Sequence, residues 1–223
     1  MGVEMSAQRI AILGAGDVAG TLGSKWLATG HQVVFGVRNP DSENVAALRA
    51  RLGDQAEVDT IAGALSGSDV VLIAISGGAV AELVSDHGQQ LDGRIVIDAT
   101  NQRVKGQAEA TGEWGERHAL NSVGVVREHA PGAAVYRAFN SYAWEVFANP
   151  VFGDRRADLF YCGPEGDGRV IVEQLIGDVG LRPVRVGDLD RVEAVDNVLE
   201  LWASLAMFEG KGRASVAFAM LDR

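Results

Sequence analysis

The chain has 223 residues, with 30 acidic against 20 basic side chains, a formal net charge of −10, and one cysteine. That acidic balance disfavours nucleic acid and anionic membrane surfaces as partners, since both demand basic patches. The length buries on the order of 70% of the unfolded surface without a disulfide or metal staple, and fits one large α/β domain or a domain with an annex.

Strand-like and helix-like stretches alternate from the start, which predicts an α/β fold with a parallel sheet. Apolar, β-branched runs predict strands at Arg9–Leu13, Gln32–Phe35, Val70–Ile75, Arg94–Ile97 and Ala133–Phe139. They are apolar on both faces, as strands covered by helices on both sides must be. Helical spacing runs from Val18 to Ala28, from Ser42 to Leu52 and onward from Gly78. Residues Gln102–Pro131 are rich in Gly and Glu, predicting a loop that leads into a helix around Asn121–His129. From Asn140 the texture changes to a turn-rich stretch, then a strand at Asp158–Cys162 and a helix at Asp167–Asp178. A strand at Arg182–Val186 follows, then a long helix from Arg191 to Phe208, a break at Gly210 and Gly212, and a last helix at Ala214–Leu221. The expected architecture is a Rossmann-type, doubly wound, mainly parallel sheet over residues 1–139. Residues 140–223 add a small C-terminal α/β extension that helps to form an acceptor cleft.

The sharpest motif is Gly14-Ala15-Gly16-Asp17-Val18-Ala19, a G-x-G-x-x-A between the first strand and the first helix. Gly14 allows the tight turn, Gly16 lets backbone approach a pyrophosphate, and Ala19 lets helix and strand pack closely. The helix N-terminus, at Asp17 and Val18, then holds the phosphate charge. The bland alternative is a tight strand–helix turn with no ligand. At the end of the second strand, Val37-Arg38-Asn39 stands where an NAD-selective site places a carboxylate. A guanidinium suits a 2′-phosphate through a forked contact, so Arg38 points to NADP rather than NAD. Two further strand ends should line the same cleft: Ile75-Ser76, beside backbone-exposing glycines, and Ala99 with Asn101.

These blocks resemble the NADP oxidoreductases of the coenzyme F-420 (deazaflavin)-dependent type. The resemblance runs from about Arg9 to Leu221, through ILGAGDVAGTLGSKWLATGHQVVFGVRNP, DATN, AFNSYAWEVFANP, YCGPEG and GLRPVRVGDL to WASLAMFEGKGRASVAFAML. It implies a Rossmann domain with a small annex and an acceptor held between them against the nicotinamide. Gly14, Gly16, Asp17, Val18 and Arg38 match the family's nucleotide positions, and Val37 replaces the Ser or Thr often found before that Arg. On the acceptor side, Asn140 takes the place of a family histidine, and Tyr142 and Trp144 add bulk.

The reading that follows is an NADPH-dependent oxidoreductase passing hydride to a deazaflavin or flavin. Reduction of a small carbonyl or imine, or non-catalytic NADPH sensing, are the alternatives. A planar acceptor needs positioning by Asn140 and backbone, whereas a carbonyl or imine needs a proton donor, with Tyr142 the nearest candidate and Ser141 behind it. Tyr142 is equally readable as a wall of the cleft. The histidines His31, His87, His118 and His129 are scattered and read as surface residues without zinc spacing, so no metal is expected. Asp188, Asp190, Glu193 and Asp196 read as complements to a helix dipole. No apolar run approaches the ~20 residues of a membrane helix. The opening MGVEMSAQRI leads into a strand without a charged-then-apolar leader, so a cytoplasmic location is expected. Leu199, Trp202, Leu205 and Ala206 offer a homodimer surface or, equally, core.

Overall fold

A computed structural model describes residues 7–101 and 121–221. The predicted loop from 102 to 120, with Lys105 and His118, lies outside the described residues. Six strands come first: β1 (Arg9–Leu13), β2 (Gln32–Val37), β3 (Glu57–Thr60), β4 (Val70–Ile73), β5 (Ile95–Asp98) and β6 (Ala134–Arg137). A two-stranded hairpin, β7 (Val151–Phe152) with β8 (Arg155–Arg156), precedes β9 (Asp158–Cys162) and β10 (Arg182–Gly187). The eight-stranded sheet runs β10-β9-β6-β5-β4-β1-β2-β3. All its ladders are parallel except β6 with β9, which meet antiparallel at Arg137 and Cys162. The Rossmann-type, mainly parallel sheet is thus as expected.

The central strands show why. Along β1, Ile10 and Ile12 enter one apolar cluster while Ala11 and Leu13 enter the other. Side chains alternate across a strand, so an unbroken apolar run serves a sheet with both faces covered. The covering helices are α1 (Asp17–Ala28), α2 (Glu43–Leu52), α3 (Ile61–Leu65), α4 (Val80–Leu91) and α5 (Ser122–His129). After β6 come α6 (Trp144–Ala148), α7 (Asp167–Val179) and α8 (Val192–Ala203). Polar residues cap three of them: Ser42 Oγ accepts from Val45 N–H (3.4 Å), Thr60 Oγ1 from Gly63 N–H (3.1 Å) and Asn121 Oδ1 from Gly124 N–H (3.0 Å). Each satisfies an orphan donor of a first helical turn. Helix α1 packs on α6 and α7, and the buried Trp26 indole donates to the Leu175 carbonyl at 2.9 Å.

Several expectations need correction. The last helix, Ala214–Leu221, does not form; the chain from Gly210 runs as an irregular strap. Gly210 (φ +68) and Gly212 (φ +96) turn it in left-handed backbone. Its amides and carbonyls then bond across the fold: Asp158 N–H to Phe218 O (2.8 Å), Met220 N–H to Asp158 Oδ2 (2.6 Å) and Trp202 Nε1 to Val216 O (2.9 Å). The long helix keeps α geometry only to Ala203 and widens to a π-turn over Ser204–Phe208. His31 is buried rather than superficial. The Gln8 N–H donates to its Nδ1 (3.0 Å), which leaves Nε2–H to donate to Asp178 Oδ2 (2.9 Å). The polar edge strand β3 carries no apolar alternation, and α3 and α6, at five residues each, are too short for a periodic signal, so none of the three was expected.

Candidate cofactor cleft

The carboxyl ends of β1, β2 and β4 open on a cleft of about 470 Å³. Of the residues expected there, Gly14, Gly16, Val37, Arg38, Asn39, Ile75 and Ser76 all line it. Gly14 sits at φ +128, and a Cβ there would stand 2.5 Å from the Ala74 carbonyl oxygen. Its N–H donates to Gly36 O at 3.0 Å. The first glycine therefore lets β1 turn between its two neighbours without collision. Gly16 differs: its backbone is extended (φ −76, ψ −174), and an added Cβ would meet nothing within 4 Å. Because Gly16 lines the cleft, that open space is the cradle a backbone-bound group would fill. The N–H groups of the α1 first turn, at Asp17 and Val18, belong to the set that no intrahelical carbonyl satisfies. The Asp17 side chain is exposed and Val18 packs against the core, so any contribution from these two is through backbone. Ala19 is fully buried, which completes the close helix–strand packing. These features fit a dinucleotide pyrophosphate.

The second end of the cleft is built by the turn after β2. Asn39 Oδ1 accepts from Asp41 N–H at 2.9 Å, so this side chain shapes the turn. Arg38 stands 69% exposed at the mouth, with Nη1 2.9 Å from Glu82 Oε2. The carboxylate absent from the end of β2 is thus present on α4. Ala79, just ahead of that helix, and Glu82, Leu83, Asp86 and His87 on it line the cleft and were missed from sequence. The available signal was the small-residue turn Ser76–Gly78, since the first turns of a helix after β4 face the same cleft. His87, read as a surface residue, hydrogen-bonds through Nδ1 to Gln90 Oε1 at 2.8 Å. Ala99 follows β5 and donates to Ile73 O at 3.1 Å, and Asn101 is exposed; neither lines this cleft.

The expected acceptor residues lie elsewhere. Phe139 takes a left-handed backbone (φ +60), with its ring edge-on to Trp26 and Phe147. Burial of that ring holds a conformation costing about 1–3 kcal/mol, and the turn carries Asn140 inward. Asn140 is 6% exposed and donates from Nδ2 to Asp196 Oδ1 at 2.7 Å. Its Oδ1 and the Ser141 Oγ are buried without a partner among the described residues. Asp196, read as a helix-dipole residue, is instead buried beside the Arg137 Nε at 2.8 Å. Arg137 also reaches Asp98 Oδ2 at 3.1 Å, and Asp98 accepts from Thr100 and Ser122. Asp188 pairs with Arg185 rather than with the helix.

Tyr142 is neither a donor poised at the cleft nor one of its walls. It is 4% exposed, its hydroxyl donates to Asp158 O (2.8 Å), and it accepts from Phe218 N–H (3.2 Å). Burial pushes that hydroxyl far above its ordinary range. Burial also pushes the Cys162 thiol up to about 12, with the Asp196 carboxylate adding to the effect. Such a thiol is a small hydrophobe, not a nucleophile. Among the described residues no cluster of His, Cys, Asp or Glu has metal-site geometry, and no helix is long and apolar enough to cross a membrane.

Residues 9–102 match the family model described as NADP oxidoreductase, coenzyme F420-dependent. The chain is 27% identical over 197 residues to metalloreductase STEAP3 of Rattus norvegicus, covering 88% of this chain and 37% of that protein. It therefore spans just over a third of the length of that relative. A structure described as an F420-dependent NADP reductase of Arthrobacter sp. FB24 superposes with a TM-score of 0.81 at 21% identity, covering 97% of this chain and all of that one. A hypothetical protein of Sinorhizobium meliloti gives 0.70 at 27% identity, covering 98% and 97%. A reductive aminase of Aspergillus terreus, in complex with an NADPH form, gives 0.63 at 17% identity over 92% of this chain and 63% of that one. The first and third of these structures, being so distant in sequence, speak to the fold alone.

Proposed function

We propose, from the match of residues 9–102 to the family model described as NADP oxidoreductase, coenzyme F420-dependent, that the protein oxidises NADPH and reduces a planar deazaflavin or flavin. The observation that carries it is the open Gly16 cradle beside Arg38 in one cleft. When bound, the cofactor supplies a hydride to the acceptor, which also takes up a proton from solvent. The α1 first turn would hold the pyrophosphate, and Arg38 the 2′-phosphate by charge-assisted hydrogen bonds. Ile75 and Ser76 would lie along the ribose nearer the chemistry, while Ala79 and Leu83 give the adenosine an apolar wall. Asn140, pinned by Asp196 at the end of β6, would position the acceptor side.

A flavin-type acceptor is favoured over a carbonyl or imine because the one tyrosine considered as proton donor is bonded into the core. Two rings held face to face need orientation more than acid catalysis. The test is anaerobic NADPH oxidation with a deazaflavin, FMN, a ketone and a cyclic imine, together with calorimetric titration of NADPH and NADH. Turnover with the deazaflavin or FMN and tighter binding of NADPH are expected. In Arg38→Ala, NADPH binding should weaken by about 2 kcal/mol. Turnover confined to the ketone or imine would overturn the acceptor assignment, and tight NADPH binding without any turnover would favour the sensing alternative.

A further inference from the structure

We infer that Glu82 sets the nucleotide preference of the cleft by competing with the cofactor's 2′-phosphate for Arg38. This rests on the cofactor reading above and concerns a residue that the β2 motif does not contain. Arg38 leaves the end of β2 and Glu82 lies in the first turn of α4, so their 2.9 Å ion pair spans the mouth of the cleft. Both side chains are largely exposed, at 69% and 64%, so nothing but the pair itself holds them together. The contact is a single Nη1–Oε2 bond, which leaves the Nε edge of the guanidinium open to a second anion. Charged groups lining this end are Arg38 against Glu82 and Asp86, an acidic balance where a phosphate must enter.

Three consequences follow from that balance. A 2′-phosphate on Arg38 comes within a few ångströms of the Glu82 carboxylate, and like charges at that range repel. Glu82 must swing away or share the guanidinium, and either response weakens NADPH binding. For NADH there is no phosphate, and a carboxylate at this place can accept from the ribose hydroxyl, the usual task of an acid after β2. Glu82 therefore narrows the NADPH preference that Arg38 alone would confer. Nucleotide choice is set by a pair of residues on two elements.

The experiment titrates NADPH and NADH into the parent, Glu82→Gln and Glu82→Asp by calorimetry, at low and high ionic strength, with melting temperatures recorded. Glu82→Gln should tighten NADPH by about threefold to fivefold at low salt, the range of an exposed ion pair. It should leave NADH unchanged or weaker, so the affinity ratio rises while the melting temperature stays put. The gain should shrink as salt screens exposed charges, and Glu82→Asp should keep the parent ratio. A merely structural role for Glu82 would move both nucleotides together. An unchanged or lowered ratio in Glu82→Gln, in a parent that binds NADPH, overturns the inference and leaves the cofactor reading standing. A parent that binds neither nucleotide overturns both.

Discussion

Replacing Gly16 with Val puts a branched side chain into the cleft while asking nothing new of the backbone beneath it. The position is extended (φ −76, ψ −174), which a β-branched residue adopts without strain, and the Cβ meets no atom within 4 Å. Removing a glycine's freedom in the unfolded chain stabilises by about 0.4–1 kcal/mol. Losing a good helix N-cap residue costs about as much. Net stability should therefore stay within about 1 kcal/mol of the parent. Binding is another matter. A pyrophosphate kept off the α1 first turn loses on the order of two charge-assisted bonds, at about 1.5–3 kcal/mol each. NADPH affinity should fall at least about a hundredfold. Calorimetric titration paired with thermal unfolding reads both halves. Gly14→Ala is the contrasting variant: at φ +128, with the Ala74 carbonyl 2.5 Å from the new Cβ, it should lose the fold itself. A Gly16→Val protein with the parent melting temperature and NADPH affinity within about tenfold of the parent would refute the placement of the pyrophosphate.

Tyr142→Phe should cost about 1–3 kcal/mol of stability by leaving the Asp158 carbonyl and Phe218 N–H unpaired, with turnover per folded molecule unchanged; a collapse of turnover at parental stability would restore it as a proton donor. Asp196→Ala removes the acceptor of both Arg137 Nε and Asn140 Nδ2, so the urea midpoint should fall by the equivalent of about 3–5 kcal/mol. Cys162, with its thiol pushed up to about 12, should resist a thiol reagent at pH 8 in the native protein and react after unfolding. The sign of the linked effect follows: the unfolded thiol ionises near its ordinary pKa of about 8.5 while the native thiol keeps its proton. Its contribution to stability is full below that pH and declines as pH rises toward 12.

Much of the nucleotide half was legible because its physics is local. A doubly covered strand must be apolar throughout, and a phosphate turn needs glycine at Gly14 and Gly16 whatever else surrounds it. The strap from Gly210 was not legible, because its residues Ala214–Leu221 read as a plausible apolar helix. What decides its course is hydrogen bonding to Trp202 on the preceding helix and to Asp158, far away in the chain. Tyr142 was misread for the same reason: proximity in sequence to Asn140 says nothing about which side of the turn its hydroxyl takes. Glu82 shows the limit for the cleft. A motif centred on the end of β2 is blind to a carboxylate that α4 brings to 2.9 Å of Arg38.

The join between β6 and β9 has a consequence for how such a molecule varies. In the sheet the two strands meet at one residue pair, Arg137 with Cys162. Beyond it, the links described above are side-chain ones: Trp26 to Leu175, His31 to Asp178, and Asp196 to Arg137 and Asn140. A long ladder would fix register, because a one-residue slip in β9 would move its own side chains to the opposite face of the sheet. A single bridge does so only weakly. A shift of register in β9 therefore need not disturb the pairing within β1–β6. What ties the two parts together is instead the packing of α1 on α6 and α7 and the core they share, so substitutions along that seam are felt through side-chain volume rather than through strand register.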